Sequence, residues 1–475
     1  MPKTIGERQT TGKKRAWADL ATARCVGQSD LWGGTKPGHW SALREAGAAL
    51  MVAMVGCGSV FAAEPTPLFR ESTGINGHTV NFKPDLYQPV CRVVRDYHPV
   101  EWDLKDDTSK LPEWPFAKNR VSWEKIYKSW HEKGLQISVC LLFDNMKVTA
   151  WKNLEKDAEA YARSFAENFG PGGKWPYVEY MEIGNEPGLY EDATYVTLFK
   201  AMTKGIREGN PKMKIVTCNV EGTKSDRYWK GADLFKDLGN QYDVLQIHRY
   251  AISEQWPVWK RTYPENPKVP YLSSIQELLH WRDTNAKGKP VWVTEFGWDA
   301  SSKEPDPKGE WAKWKDSTDE EQARWLVRSF FLFAEMGVEK SFVYFFNDED
   351  EPKLHAASGL TRNFQPKPAY HAVAWMLKSL ENYRFSKVIQ KSLDQGYVFE
   401  FTPEKAGEPV IWAVWHPTQE NYAVKLDLAG RKVLRQERMP LAADSADQVM
   451  PATLPESEVK AGERPILLWL QAAGS

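Results

Sequence analysis

Two glutamates stand where a reaction could use them. Glu186 closes the stretch Val178-Glu-Tyr-Met-Glu-Ile-Gly-Asn-Glu186 before Pro187, and Glu295 closes Val291-Trp-Val-Thr-Glu295 before Phe296-Gly297. An ionised carboxylate at the end of an apolar run loses its hydration, so it needs a partner or a use. Two carboxyls about 5 Å apart supply both halves of glycoside hydrolysis with retention, one attacking the anomeric carbon and the other protonating the leaving oxygen. A gap nearer ~8 Å leaves room for a water between them and implies inversion. Alone, either residue reads equally well as a satisfied structural glutamate. Together, on runs able to face one another, they point to chemistry.

What must position them is legible in the surrounding pattern. Eight short apolar runs recur at Gly74–His78, Val90–Asp96, Leu135–Phe143, Tyr177–Glu186, Met213–Asn219, Asp243–His248, Pro290–Glu295 and Ser341–Phe346, separated by segments of helical periodicity. Strands alternating with helices imply a parallel sheet, and eight such units imply closure into a (β/α)8 TIM barrel, an α/β fold. Reactive groups of such a barrel sit at the C-terminal ends of its strands, where both glutamates fall. The helices carry their own punctuation. Thr318-Asp-Glu-Glu321 is a capping box for a helix stopped by Gly337, Asn153 opens a segment ending at Gly170, and Ser273 or Ser274 is expected to open another. After Lys367-Pro-Ala-Tyr-His371 and a helix over Ala372–Leu380, short alternating stretches at Tyr397–Thr402, Val410–His416, Tyr422–Leu428 and Ile466–Leu470 predict an antiparallel β-sandwich-like appendage. The expected division is 64–381 for the barrel and 382–475 for the appendage.

Asn185-Glu186-Pro187 on the fourth run and Glu295-Phe296-Gly297 on the seventh resemble the signatures of clan A glycoside hydrolases, whose members include many cellulases, mannanases, xylosidases and agarases. The resemblance spans residues 70–380. It implies Glu186 as general acid/base and Glu295 as nucleophile, with Asn185 bonding the sugar 2-hydroxyl. Asp243-Val-Leu-Gln-Ile-His-Arg-Tyr250 resembles the sixth-strand segment, which implies His248 near the reacting sugar and Tyr250 holding the nucleophile. Arg95, in Val93-Val-Arg-Asp-Tyr97, matches the second-strand arginine that supports the ionised nucleophile. Such roles require one carboxyl charged and the other protonated. The clan often places a Trp at the end of the eighth strand as a floor for the sugar. Here that stretch reads Tyr344-Phe-Phe346, so Phe346, or Trp298 just beyond the nucleophile, is expected to serve. His78, and Asp144 with Asn145, stand at the same face as candidates for sugar hydroxyls, though turn chemistry also explains Asp-Asn.

Composition agrees with a carbohydrate substrate and narrows the partners. The chain has 475 residues and a formal net charge of -1, with no basic field to attract nucleic acid or an anionic membrane. It holds 22 Trp, 18 Tyr and 20 Phe. Aromatic loops near Trp102 and Trp114, Trp256, Trp259 and Tyr263, and Trp311 and Trp314 suit stacking on successive sugars and favour endo action on an oligosaccharide or polysaccharide, although aromatics mainly fill cores. The acidic run Asp348–Glu351 reads as a solvated loop before a calcium site. No Cys/His spacing suggests a metal and no motif calls for a cofactor. Residues 45–63, ending Val60-Phe61-Ala62, predict a secretory signal and a periplasmic or secreted protein with no membrane span. Residues 1–44 ahead of it point to a start codon assigned too far upstream. Cys57 is an alternative lipid-attachment site. Cys91, Cys140 and Cys218 sit in apolar runs and read as buried thiols. Oligomeric state is not set by the sequence. Two other classes share the motifs: a sugar-binding protein on the same barrel, which would usually have lost one glutamate, and a transglycosylase, which shares the intermediate.

Overall fold

The computed structural model describes residues 66–77, 83–446, 448–454 and 457–472. The eight apolar runs become parallel strands: β1 (Thr73–Asn76), β2 (Val93–Pro99), β3 (Gln136–Leu142), β4 (Tyr180–Ile183), β5 (Lys214–Asn219), β6 (Val244–His248), β7 (Val291–Phe296) and β8 (Lys340–Val343). They close in chain order, with β1 pairing to both β2 and β8. The signal segment, Cys57 and His78 lie outside the described residues.

Side chains fill the barrel in layers. The lower layer is apolar, with Val93, Val216, Val244, Trp292 and Phe342 buried together. Glycine is required on β1 here, because a Cβ at Gly74 would sit 2.4 Å from the Phe342 ring. Above lies a polar layer of Asn76, Arg95, Glu182, Gln246 and Thr294, all buried. One irregularity sets the top. Ile247 pairs with Val293, but His248 pairs with Glu295, so β7 carries an extra residue against β6. Strand alternation would send residue 295 outward once Thr294 faces in. The bulge lets both face the interior, where Thr294 donates to Gln246 and Glu295 meets Arg95.

The outer helices follow their caps. Thr318 and Glu321 form the capping box of helix Asp319–Met336, which ends at Gly337 in a left-handed conformation with φ 78°. Asn153 caps helix Leu154–Phe169 through its side chain. Neither Ser273 nor Ser274 is a cap: that helix begins at Leu272, and the Ser274 hydroxyl accepts from Arg249 at 2.9 Å instead. Among the described residues no helix is long and apolar enough to cross a membrane.

A small sheet after the barrel joins β9 (Asn347–Asp348), β10 (Thr361–Arg362) and β11 (Gln365–Pro366). Beyond helix Pro368–Leu380 come β12 (Tyr383–Ser392), β13 (Gly396–Pro403), β14 (Val410–Trp415), β15 (Tyr422–Lys425), β16 (Val433–Arg438), β17 (Val449–Met450), β18 (Glu458–Ala461) and β19 (Ile466–Leu470). Six of them form a sheet in the order β12-β13-β14-β19-β16-β17, and β15 pairs with β18 as a second layer. Val398, Trp412, Val424, Val459 and Leu468 pack between the layers. The other face of the larger sheet joins the barrel's own core: Phe331 meets Phe401 at 5.4 Å and Trp415 at 5.8 Å. The chain from Thr66 onward is therefore one compact unit. A polar tie reinforces it, since Glu265, on the loop after β6, accepts from Trp415 Nε1 at 2.7 Å and from Arg328 Nε at 2.8 Å.

Candidate active site

Arg95 organises the polar layer. Its five N–H groups have five acceptors: Glu182 Oε2 at 2.8 Å and Oε1 at 2.6 Å, Asn76 Oδ1 and Asn185 Oδ1 at 2.8 Å each, and Glu295 Oε1 at 3.1 Å. An arginine donor demands an oxygen, so the Asn185 amide is oriented with its NH2 away from Arg95. The Asn185 backbone N–H donates to Asp144 Oδ2 at 3.2 Å, which assigns buried Asp144 to shaping the turn. That turn is sharp. β4 ends at Ile183, Gly184 adopts φ 83°, and a Cβ there would lie 2.9 Å from Phe143, so Glu186 sits three residues past the strand.

Glu295 is buried and held on both oxygens. Oε1 accepts from Tyr97 at 2.5 Å as well as from Arg95, and Oε2 accepts from Tyr250 at 2.8 Å. Burial by itself would raise its pKa. The charge of His248, the Arg95 guanidinium and the two phenol hydrogen bonds outweigh that and hold the carboxyl below the usual carboxylate range. Burial, with the Glu295 charge adding to it, pushes the Tyr97 and Tyr250 phenols far up, so both remain donors. His248 bridges the pair, with Nδ1 3.1 Å from Glu186 Oε1 and 3.6 Å from Glu295 Oε2. The three residues each bring a ligand atom within 4.8 Å of the others, which places an oxygen of Glu186 that close to one of Glu295. This trio is also the one group with metal-ligand spacing among the described residues, but Arg95, Tyr97 and Tyr250 already engage the Glu295 oxygens.

Most of the candidates converge here, and two do not. Trp298 is 0 % exposed, donating Nε1 to Thr262 O at 2.8 Å and packing on Tyr271 and Trp325. It fastens loops together and offers no face to a sugar. Phe346 is likewise 0 % exposed, stacked on Tyr87 at 3.8 Å between centroids. Two partly buried aromatics follow β8, Tyr344 and Phe345, and of these Tyr344 lies 6.4 Å from both Tyr97 and Tyr250 and within electrostatic reach of Glu295 and Glu186. Of the aromatic loops, Trp114 is packed onto Phe165 and Phe169, and Trp314 is buried. Trp256, 45 % exposed and edge-on to Trp311 at 5.9 Å, keeps a free face.

The acidic run corrects differently. Asp348 and Asp350 are buried: Asp348 meets Lys367 at 3.3 Å, while Asp350 accepts from Ser302 N at 2.8 Å and lies 3.1 Å from Arg362. These two are neither solvated nor open to a cation, because internal donors occupy them, whereas Glu349 between them is exposed as the sequence predicts. Cys91, Cys140 and Cys218 are buried free thiols, their acidity suppressed chiefly by burial. Sequence inspection missed Glu182, Tyr97, Asn76 and Gln246. Their signal was there in retrospect: polar residues at alternate positions of otherwise apolar strands.

No family model matches this chain, and no curated protein does. Solved structures do. A family 39 glycoside hydrolase from the gut symbiont Bacteroides cellulosilyticus superposes with TM-score 0.63 at 19% identity, over 85% of this chain and 82% of that one. A glucosidase from Croceicoccus marinus gives 0.59 at 12% identity, over 86% and 98%. The catalytic domain of a family 30 xylanase C from Talaromyces cellulolyticus gives 0.52 at 12% identity, over 86% and 99%. The fold of this chain is thus that of these enzymes, a TIM barrel with an antiparallel β appendage.

Proposed function

We propose that this chain is a retaining β-glycosidase acting on an oligosaccharide or polysaccharide, with Glu295 as nucleophile and Glu186 as acid/base. The observation that carries it is the approach of the two carboxylates to within 4.8 Å, with one of them held ionised by Arg95, Tyr97 and Tyr250. That spacing fits attack by Glu295 on the anomeric carbon and leaves no room for a water between the pair. In the first step the Glu295 oxygen bonds to the anomeric carbon as its bond to the leaving oxygen breaks, and Glu186 gives that oxygen its proton. In the second, water replaces Glu295 and returns a proton to Glu186. His248 lies between them, its Nδ1 within hydrogen-bond reach of Glu186 and close to Glu295, and helps to hold the two carboxyls in register. Asn185, its carbonyl fixed on Arg95, offers its NH2 to the sugar 2-hydroxyl, and Tyr344 takes the place of the aromatic floor. Trp256 with Trp311 would extend binding along a chain of sugars, which favours endo action. Residues 45–63 would export the protein, and N-terminal sequencing of the processed form tests this against lipidation at Cys57.

The deciding experiment is a screen of the purified chain against β-glucans, mannans, xylans and galactans, reading the products and the first-formed anomer. Release with β-configuration supports the proposal and names the sugar. Glu295→Ala should lose nearly all turnover, whereas Glu186→Ala should spare aryl glycosides whose leaving group needs no proton. Binding without release from any polymer would favour a sugar-binding protein, and products longer than the substrate a transglycosylase.

A further inference from the structure

Behind the nucleophile's phenol partner lies a second charged group that the two-carboxylate chemistry does not use. Tyr250 donates to Glu295 Oε2 at 2.8 Å. The Arg261 guanidinium lies over the Tyr250 ring, 4.5 Å from its centroid, and the His355 ring meets it edge-on at 4.5 Å and 70°. These come from separate loops, after β6 and after β8. Asp299, on the loop after β7, fixes Arg261 with contacts of 3.3 and 3.0 Å, and its other oxygen accepts from Ser358 at 2.7 Å. Arg261 and Asp299 are both buried.

We propose that Arg261 and His355 are positioning residues for the nucleophile, acting through Tyr250. A cation over a phenol ring draws electron density from it and makes the hydroxyl a stronger donor. A stronger donor stabilises the ionised form of the carboxylate it serves. His355 Nδ1 lies 3.4 Å from Arg261 Nη2, where a neutral ring can accept from the guanidinium and aim it. Burial, and then the neighbouring Arg261 charge, keep that ring neutral by lowering its pKa to about 4. His355 also holds φ 60°, a left-handed backbone that a histidine adopts at a cost and that such loops retain where a side chain must be aimed.

The alternative is that Arg261 and Asp299 merely pin loops together, and titration separates the two. Glu295 faces Arg95 and Tyr97 from β2, Glu186 beyond β4, His248 from β6 with Tyr250 just after it, and Tyr344 after β8. None of these is altered by the paired change Arg261→Met with Asp299→Asn. That pair removes one charge of each sign, so no buried ion is stranded and the direct field at Glu295 changes little.

The inference rests on Glu295 being the nucleophile, but its test needs no turnover. The carboxyl of Glu295 is followed by carbon-13 NMR in glutamate-labelled protein and identified by its loss in Glu295→Gln. The paired variant is expected to raise its midpoint by about half a unit to one unit. His355→Gln, which keeps both ions, should give a smaller rise. Placed on Tyr250→Phe, the paired change should add nothing. An equal rise with and without the Tyr250 hydroxyl would overturn the proposal, as would an unmoved midpoint in both the paired variant and His355→Gln. A protein that titrates as expected yet cleaves no sugar would refute the glycosidase assignment and leave this one standing.

Discussion

Replacing Arg95 by lysine keeps the charge and removes the fork. The guanidinium donates five hydrogen bonds to Glu182, Asn76, Asn185 and Glu295, all inside the barrel. An ammonium has three N–H groups and one point of attachment, so at least two of the five buried hydrogen bonds are lost, although Glu295 Oε1 keeps Tyr97 and Glu182 Oε1 keeps Gln246. At about 1–3 kcal/mol for each buried hydrogen bond lost, the loss is about 2–6 kcal/mol. For a chain of this size each kcal/mol moves the melting temperature by roughly 2 °C, so Arg95→Lys should melt about 4–12 °C lower in calorimetry at a fixed scan rate. Activity should fall as well, since Asn185 and Glu295 lose the group that aligns them. Melting within about 1 °C of the parent, with kcat/KM intact, would refute the view that this fork organises the site.

Four further outcomes follow from the same geometry. Tyr97→Phe removes a charge-assisted hydrogen bond worth about 1.5–3 kcal/mol to the ionised Glu295, so the carboxyl pKa should rise and the acid limb of kcat/KM should move about one to two units to higher pH. Trp298→Ala should cost about 3–5 kcal/mol in urea denaturation because it empties a core position, whereas Tyr344→Ala should raise KM about tenfold and leave stability nearly unchanged. His355 titrates below its ordinary value in the folded chain, so the unfolded chain takes up its proton first. Stability is therefore lost as pH falls from 6.5 to about 4. His355→Gln should flatten that part of the curve of melting temperature against pH.

The barrel was legible because its strands are mostly apolar and some of its helices, such as Leu154–Phe169 and Asp319–Met336, open on side-chain caps, two signals that survive in one sequence. Glu186 and Glu295 could be singled out because they stand at or just past strand ends, whereas Arg95, His248 and Tyr250 were suggested only by the resemblance of their segments to a known clan. What stayed hidden depends on contacts between distant strands. Trp298 stands three residues after Glu295, yet the direction of its side chain is set by Tyr271 and Trp325, and nothing local announces a buried face. Tyr344 and Phe346 stand two apart and would share a face of a continuing strand, but the strand has ended at Val343 and the alternation no longer holds. Ser274 fits a cap by residue type, but Arg249 claims its hydroxyl. The acidic run looks solvated by composition, and only the fold brings Lys367 and Arg362 onto it.

The tie from Trp415 to Glu265 has a practical consequence for anyone recombining relatives of this chain. Glu265 belongs to the loop that also bears Tyr250, Trp256 and Arg261, and its partner Trp415 belongs to β14 of the terminal sheet. A chimera that takes the barrel from one parent and the sheet from another would leave the Glu265 carboxylate with Arg328 alone and a gap where the indole had been. Loop and sheet therefore form a single unit of inheritance, although Glu265 and Trp415 stand 150 residues apart in the chain, and grafts that cut between them should lose alignment at Glu295 before they lose the barrel.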